Sequence, residues 1–166
     1  VNHLAKTNIY KLFVILGHQS ETLANTLKNL KIFIVINSSY KKGISSSIIE
    51  GVKMLSNNTS GVMICLADMP KITTNSYNTL INFFNKFYEN KKPLIIIPEY
   101  HGKLGNPVIF SNYFFTDLKN LRGDKGAKSL INKNKKYIKI VNINNNSILE
   151  DIDNVTNYKK LLRNEE

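Results

Sequence analysis

Cysteine is almost missing from this chain: one residue, Cys65, in 166. A single thiol excludes an internal disulfide framework and fits a reducing compartment. Cys65 lies in the apolar run Gly61-Val62-Met63-Ile64-Cys65 and reads as a small core residue rather than a nucleophile. Long apolar runs are missing too. None approaches the roughly 18 residues of a membrane span, and the longest, such as Leu94 to Pro98, are strand-sized. The opening residues Val1-Asn2-His3-Leu4-Ala5-Lys6 lack the basic-then-apolar pattern of a secretion signal. A cytoplasmic location and no membrane partner are therefore expected. Acidic residues are scarce, 12 against 23 Lys and Arg, for a net charge of +11. Such a balance can mark nucleic-acid binding. Here the lysines are scattered through nearly every segment, and the densest cluster, Lys133 to Lys136 with Lys139, reads as a solvated loop. The joint excess of Lys, Asn and Ile matches what an AT-rich coding sequence would produce, so no nucleic-acid partner is expected.

What is present is a regular alternation. Short β-branched runs alternate with longer segments of helical period, the pattern of a mostly parallel α/β sheet in a single domain. Strands are expected over Ile9–Leu16, Lys31–Ile36, Gly61–Leu66, Pro93–Pro98, Pro107–Phe110 and Tyr137–Ile143. Helices are expected over Ser20–Asn29 with Ser20 as N-cap, Gly43–Leu55, and Thr73–Tyr88 capped by Thr73 or Thr74. Shorter helices are expected over Asn112–Lys119, Lys125–Asn132 and Val155–Arg163. Repeats, long linkers and an internal domain boundary are missing.

The residue choices that suggest chemistry fall at strand ends and helix starts. The run ending at Cys65 stops at Leu66-Ala67-Asp68-Met69-Pro70, which places a carboxylate at the carboxyl edge of a sheet, where open α/β sheets bind ligands. A hard cation there needs few protein oxygens when phosphates complete its shell. An Asp-x-Pro is also an ordinary turn. Asn37 to Ser47, with Tyr40, Gly43 and Ser45-Ser46-Ser47, offers amides and hydroxyls at a helix start, suited to anions or to simple capping. Gly102 and Gly105 bracket a turn that lets backbone approach another group closely. Arg122-Gly123-Asp124-Lys125-Gly126 is a second glycine-flanked helix start. Asp151-Ile152-Asp153 would point both carboxylates the same way if extended.

The order of these blocks resembles the MobA-like nucleotidyltransferases, and most of all the molybdenum cofactor cytidylyltransferases. The succession is Leu16-Gly17-His18, Asn37 with Tyr40, Gly43 and Ser47, Asp68-Met69-Pro70, Gly102 with Gly105-Asn106-Pro107-Val108, Gly123-Asp124 with Gly126-Ala127, and Asp151-Ile152-Asp153. The resemblance implies a Rossmann-like three-layer α/β/α fold of the nucleotide-diphospho-sugar transferase type. It implies transfer of CMP from CTP to the phosphate of molybdopterin, with Mg²⁺ and release of pyrophosphate; guanylyl transfer or another phosphate acceptor stays open. Asp68 then matches the catalytic and metal-binding Asp, with Asp153 as second metal carboxylate. Asn37 and Ser47, with Asp68, match the nucleotide side, and Gly105, Asn106, Pro107 and Asp124 the acceptor side. The chain departs from the family at Ala67, where Gly is usual, at Asn106, where His is usual, and at Asn154-Val155-Thr156-Asn157, where Thr-Pro-Glu-Asp is usual. The family's opening strand and its Gly-rich phosphate loop have no counterpart here, and Val1 to Asn8 matches the end of the helix that follows them. A domain truncated at its N-terminus, missing the first central strand, is therefore expected. The alternative expectation is an inactive remnant or interaction module that needs a separately encoded N-terminal piece to complete its sheet.

Overall fold

The apolar runs become strands that are shorter than their sequence windows. In a computed structural model, which describes residues 1–152, the strands are β1 (Phe13–Leu16), β2 (Phe33–Ile36), β3 (Gly61–Ile64), β4 (Ile95–Tyr100), β5 (Lys103–Leu104), β6 (Val108–Ser111) and β7 (Ile138–Asn142). The helices are α1 (Asn2–Ala5), α2 (Ser20–Leu27), α3 (Ile44–Lys53), α4 (Thr74–Phe87), α5 (Phe115–Lys119) and α6 (Lys128–Lys133). Among the described residues, no helix is long and apolar enough to cross a membrane. The helix expected over Val155–Arg163 lies outside the described residues.

β4 organises the molecule. Its residues alternate between two cores: Ile95 and Ile97 join Ile48 and Val52 of α3, Phe114, and Leu118 of α5. Ile96 faces the other way, onto Leu80 and Phe84 of α4 with Val141 and Ile148. A strand buried on both faces needs an uninterrupted apolar run, and Leu94 to Pro98 supplies it. The result is helix, sheet, helix: the expected three layers.

The sheet order is β3-β6-β4, with β5 on the end of β4 and β7 along it. β4 and β7 run parallel, while β6 is antiparallel to both β3 and β4. β3, β4 and β7 therefore point one way and β6 is reversed. The reversal starts at the turn after β4, where His101 (φ 48°) and Gly102 (φ 77°) fold β5 back on β4. So tight a turn can only join antiparallel strands.

β1 and β2 pair parallel in a separate two-stranded sheet. Among the described residues no ladder joins β1 to β3, so each strand has a partner on one side only. The layer is split where the missing central strand was expected. α3 bridges the split from one face: it packs on β1 and, through Ile48 and Val52, on the core that includes Val62 and Ile64 of β3.

Local differences from the sequence windows have local causes. Lys11 lies with its amine over the Tyr10 and Phe33 rings, and Tyr10 is 89% exposed, so β1 begins only at Phe13. Gln19, left-handed at φ 52°, takes the cap position of α2, and Ser20 becomes its first helical residue. Thr73 caps α4 as expected, its hydroxyl accepting from the Ser76 N–H at 3.2 Å. Gly126 is left-handed (φ 54°), which delays α6 to Lys128.

Candidate active site

The Asp68 turn is built from the tail of β3. Cys65 and Leu66 continue the strand's apolar run onto the cluster of Leu4, Met69, Ile72 and Tyr77. Leu66, half-buried on one side, and Met69, buried on the other, leave Ala67 and Asp68 as an exposed turn. Among the described residues the Asp68 carboxylate makes no ion pair. Its backbone is fixed instead: the Ile152 N–H donates to the Asp68 carbonyl at 2.8 Å. Close by, Lys71 pairs with Glu150 at 2.6 Å. Residues 150–152 are thereby stitched alongside the turn, with Asp151 exposed; Asp153 lies outside the described residues.

Among the described residues, no three His, Cys, Asp or Glu side chains gather into a metal-holding group. Asp68 therefore has no companions among the described residues that would close a protein cage around a metal. An exposed, unpaired oxygen donor does suit a hard cation that takes its other ligands from phosphates and water. Cys65, the nearest thiol in sequence, is unsuited: burial pushes it up to about 12. Burial also raises the Tyr77 hydroxyl, with a smaller contribution from Cys65.

A second group gathers at the start of α3. Asn37, 2% exposed at the end of β2, donates through Nδ2 to the hydroxyls of Ser46 (2.8 Å) and Ser47 (3.0 Å). Its Oδ1 accepts the Ser39 N–H at 2.9 Å. Ser46 donates onward to the carbonyls of Ser39 and Gly43. The amide of Asn37 is therefore committed within the protein, holding the β2–α3 loop against the helix start. Asn37 and Ser47 are brought together as the sequence suggests. Ser46, the centre of the network, was not singled out; the Ser45-Ser46-Ser47 triplet was its only signal.

Two neighbouring loops lock onto this group. A Cβ at Gly17 would stand 2.5 Å from that of Tyr40, whose hydroxyl reaches 3.5 Å from His18 Nδ1. Gly43 (φ 93°) touches the next loop, since a Cβ there would be 2.8 Å from the Asp124 Cα. Asp124 itself is exposed beside the α3 start.

Gly105, Asn106 and Pro107 are held by a different set of hydrogen bonds. The Gly105 N–H donates to the Pro98 carbonyl at 2.9 Å, and the Asn106 N–H to the Ile148 carbonyl at 3.0 Å. The Asn106–Pro107 peptide is cis and Pro107 is buried. Residues 148–152 form a strap, anchored on the Asn106 loop at one end and the Asp68 turn at the other. A strap of that length holds the two anchors within about 20 Å. Near the Gly102 turn lies a shallow cavity of about 380 Å³, lined by Glu99, Tyr100, His101, Asn142, Ile143 and Asn144. Glu99 and Asn144 carried no motif signal.

The comparisons agree with this layout. The MobA-like NTP transferase domain family model matches residues 1–137. The purine catabolism protein PucB of Bacillus subtilis (strain 168) is 26% identical over 125 residues, covering 74% of this chain and 58% of PucB. The chain thus spans a little over half the length of that curated relative. Rv0371c of Mycobacterium tuberculosis H37Rv, solved in complex with manganese, superposes with a TM-score of 0.82 at 18% identity, over 98% of this chain and 83% of that one. A nucleotidyl transferase from Methanothermobacter thermautotroptrophicus gives 0.77 at 15% identity, over 98% and 77%. These structures share the fold. The match across 1–137, together with the strand-end position of Asp68 and the α3 start organised by Asn37, shows that the chain belongs to the MobA-like NTP transferase domain family.

Proposed function

We propose that this chain is a single, cytoplasmic nucleotidyltransferase domain that moves a nucleoside monophosphate from an NTP to a phosphate acceptor and releases pyrophosphate. The observation that carries this reading is the Asp68 turn: an exposed carboxylate without an ion-pair partner among the described residues, held by its own backbone at the end of β3. Nucleotidyl transfer needs positioning and charge neutralisation more than a side-chain nucleophile, which suits a site without a reactive thiol. Asp68, with Asp153, would hold a divalent cation, Mg²⁺ or Mn²⁺, which when bound neutralises charge on the phosphates. The α3 start organised by Asn37 and Ser47 would face the nucleotide, and the Gly105-Asn106-Pro107 loop with Asp124 the acceptor. CTP and the molybdopterin phosphate are the first pair to test. Similarity to a purine catabolism protein favours testing acceptors other than that pterin as well, with GTP as the second donor.

The test is pyrophosphate release by the purified chain with CTP or GTP, a pterin phosphate acceptor, and Mg²⁺ or Mn²⁺. Asp68→Asn should lower the rate at least about 100-fold. Unchanged turnover in that variant would remove Asp68 from the site. A second reading is favoured by the open edges of β1 and β3: residues 1–166 stay inactive until a further strand completes the sheet. Robust transfer by the chain alone would eliminate it.

A further inference from the structure

Along Asn142 to Asn146 the asparagine side chains divide into two sets. Asn145 accepts the Ser147 N–H at 3.1 Å through Oδ1, and Asn146 donates through Nδ2 to Glu150. Asn142 and Asn144 make no side-chain hydrogen bond among the described residues, and both line the cavity beside the Gly102 turn. Three glutamates, Glu50, Glu89 and Glu150, each pair with a lysine. Glu99, half-buried in that cavity, pairs with none among the described residues, in a chain with 23 Lys and Arg.

The strands bring these uncommitted groups together. Glu99 follows Ile95 and Ile97 on one side of β4, and β7 sets Asn142 opposite it. Neighbouring strands lie about 5 Å apart, so the two side chains start from adjacent points on one face. The Ile143 N–H donates to the Glu99 carbonyl at 2.9 Å, which continues the ladder and carries the chain on to Asn144. Tyr100 and His101 stand edge to face, ring centroids 4.2 Å apart, and buried Ile143 completes the lining. A volume of about 380 Å³ suits one small ring system. The cavity opens at the carboxyl ends of the parallel strands β4 and β7, the edge where α/β sheets take ligands. It shares no residue with the Asp68 turn or the α3 start.

A half-buried carboxylate without a countercharge gains most from donors that carry positive charge or are strongly polarised, and its two oxygens accept two parallel N–H bonds. An anion finds no lysine or arginine in the lining. A metal ion finds only Glu99 and His101, and among the described residues no three metal-holding side chains gather. The amides of Asn142 and Asn144 offer donors and acceptors to the rest of a ligand, and the aromatic pair offers a flat one a surface. We propose that this cavity binds a flat group with two N–H donors on one carbon, the edge shared by a guanidinium ion and a 2-aminopyrimidinone ring. Glu99 receives the two donors, with Asn142 and Asn144 beside it. Binding there needs neither an NTP nor a divalent cation.

The test uses the intact, isotope-labelled chain without NTP or divalent cation, and follows backbone and asparagine side-chain amides by NMR. The probes are methylguanidinium and guanosine. Methylammonium is the control that keeps the charge without the fork, and inosine the one that keeps the ring without the amino group. Methylguanidinium or guanosine should shift the Asn142 and Asn144 side-chain signals saturably, at least about tenfold more tightly than its control. Binding of methylguanidinium alone identifies a free cation, and of guanosine alone a ring. Glu99→Gln keeps the size of the side chain and should abolish the preference over the controls. Asn142→Leu leaves Glu99 in place and should weaken the probe that binds, which decides the matter if Glu99→Gln does not fold. The proposal is overturned if neither probe saturates below about 10 mM, or if the controls bind as well. Retained preference in folded Glu99→Gln, or unchanged affinity in Asn142→Leu, also overturns it. So do shifts confined to Ser46 and Ser47, which would put the ring at the α3 start.

Discussion

Replacing Gly105 with alanine tests whether the Asn106 loop is held by the strap as described. A Cβ at Gly105 would lie 2.3 Å from the Ile148 carbonyl oxygen and 2.9 Å from its carbon. These are backbone atoms, so no rotamer change relieves the contact. Ile148 is 0% exposed and accepts the Asn106 N–H at 3.0 Å. Moving it strands a buried hydrogen-bonding group, at about 1–3 kcal/mol, and overpacks the core around it, at about 1–3 kcal/mol. With partial relaxation, Gly105→Ala should cost about 3 kcal/mol, or roughly 6–12 °C in Tm for a chain of this size. Gly102→Ala is the control: its φ is 77° but nothing lies within 4 Å of the added carbon, so only left-handed strain of about 1 kcal/mol applies. Urea unfolding followed by circular dichroism measures both. The strap argument is refuted if Gly105→Ala proves no more costly than Gly102→Ala.

Asn37→Ala removes the amide that holds Ser39, Ser46 and Ser47, and should cost about 2 kcal/mol; urea unfolding measures the loss. An unchanged midpoint would mean the serine network stands without it. Cys65 and Tyr77 are both raised in the folded state, Cys65 from 9.0 to about 12. The folded chain therefore keeps protons that the unfolded chain releases. Their contribution to stability is intact below about pH 9 and is lost as pH rises toward about 12. Tm measured across that window should fall, and Cys65→Ala should flatten part of the fall. The raised thiol also predicts that Cys65, though only half-buried, reacts more slowly with Ellman's reagent at pH 8 in the folded chain than after unfolding.

Much of this was legible because one-dimensional patterns carried it. The run Leu94 to Pro98 announced a strand by its length and composition, and it became the centre of both cores. Thr73 announced the start of α4. The strand-ending Asp68 is where the sequence put it, in an exposed turn after β3. What was not legible depended on partners far along the chain. The reversal of β6 follows from a two-residue turn with His101 and Gly102 both in the left-handed region; both residue types favour it, but the pair does not say which strand the turned chain joins. Gly105 reads as a flexible loop residue, yet its lack of a side chain answers to Ile148. The tie between Asp68 and Ile152 is a backbone bond, and backbone bonds leave no mark on residue type.

The placement of β7 has a consequence for where this fold can be cut. The family match ends at residue 137, and β7 begins at Ile138. β7 lies along β4 from Ile95 to Glu99, in the middle of the molecule. A chain ended at the family boundary would therefore lose not a tail but one flank of its central strand, along with Val141, Ile143 and Ile148 from the α4 core. Ile95 and Ile96, both 0% exposed in the intact chain, would then border a bare strand edge, and such edges pair with one another. The stretch that the family model matches and the stretch that completes this sheet are thus different lengths of the polypeptide, and the second is the longer.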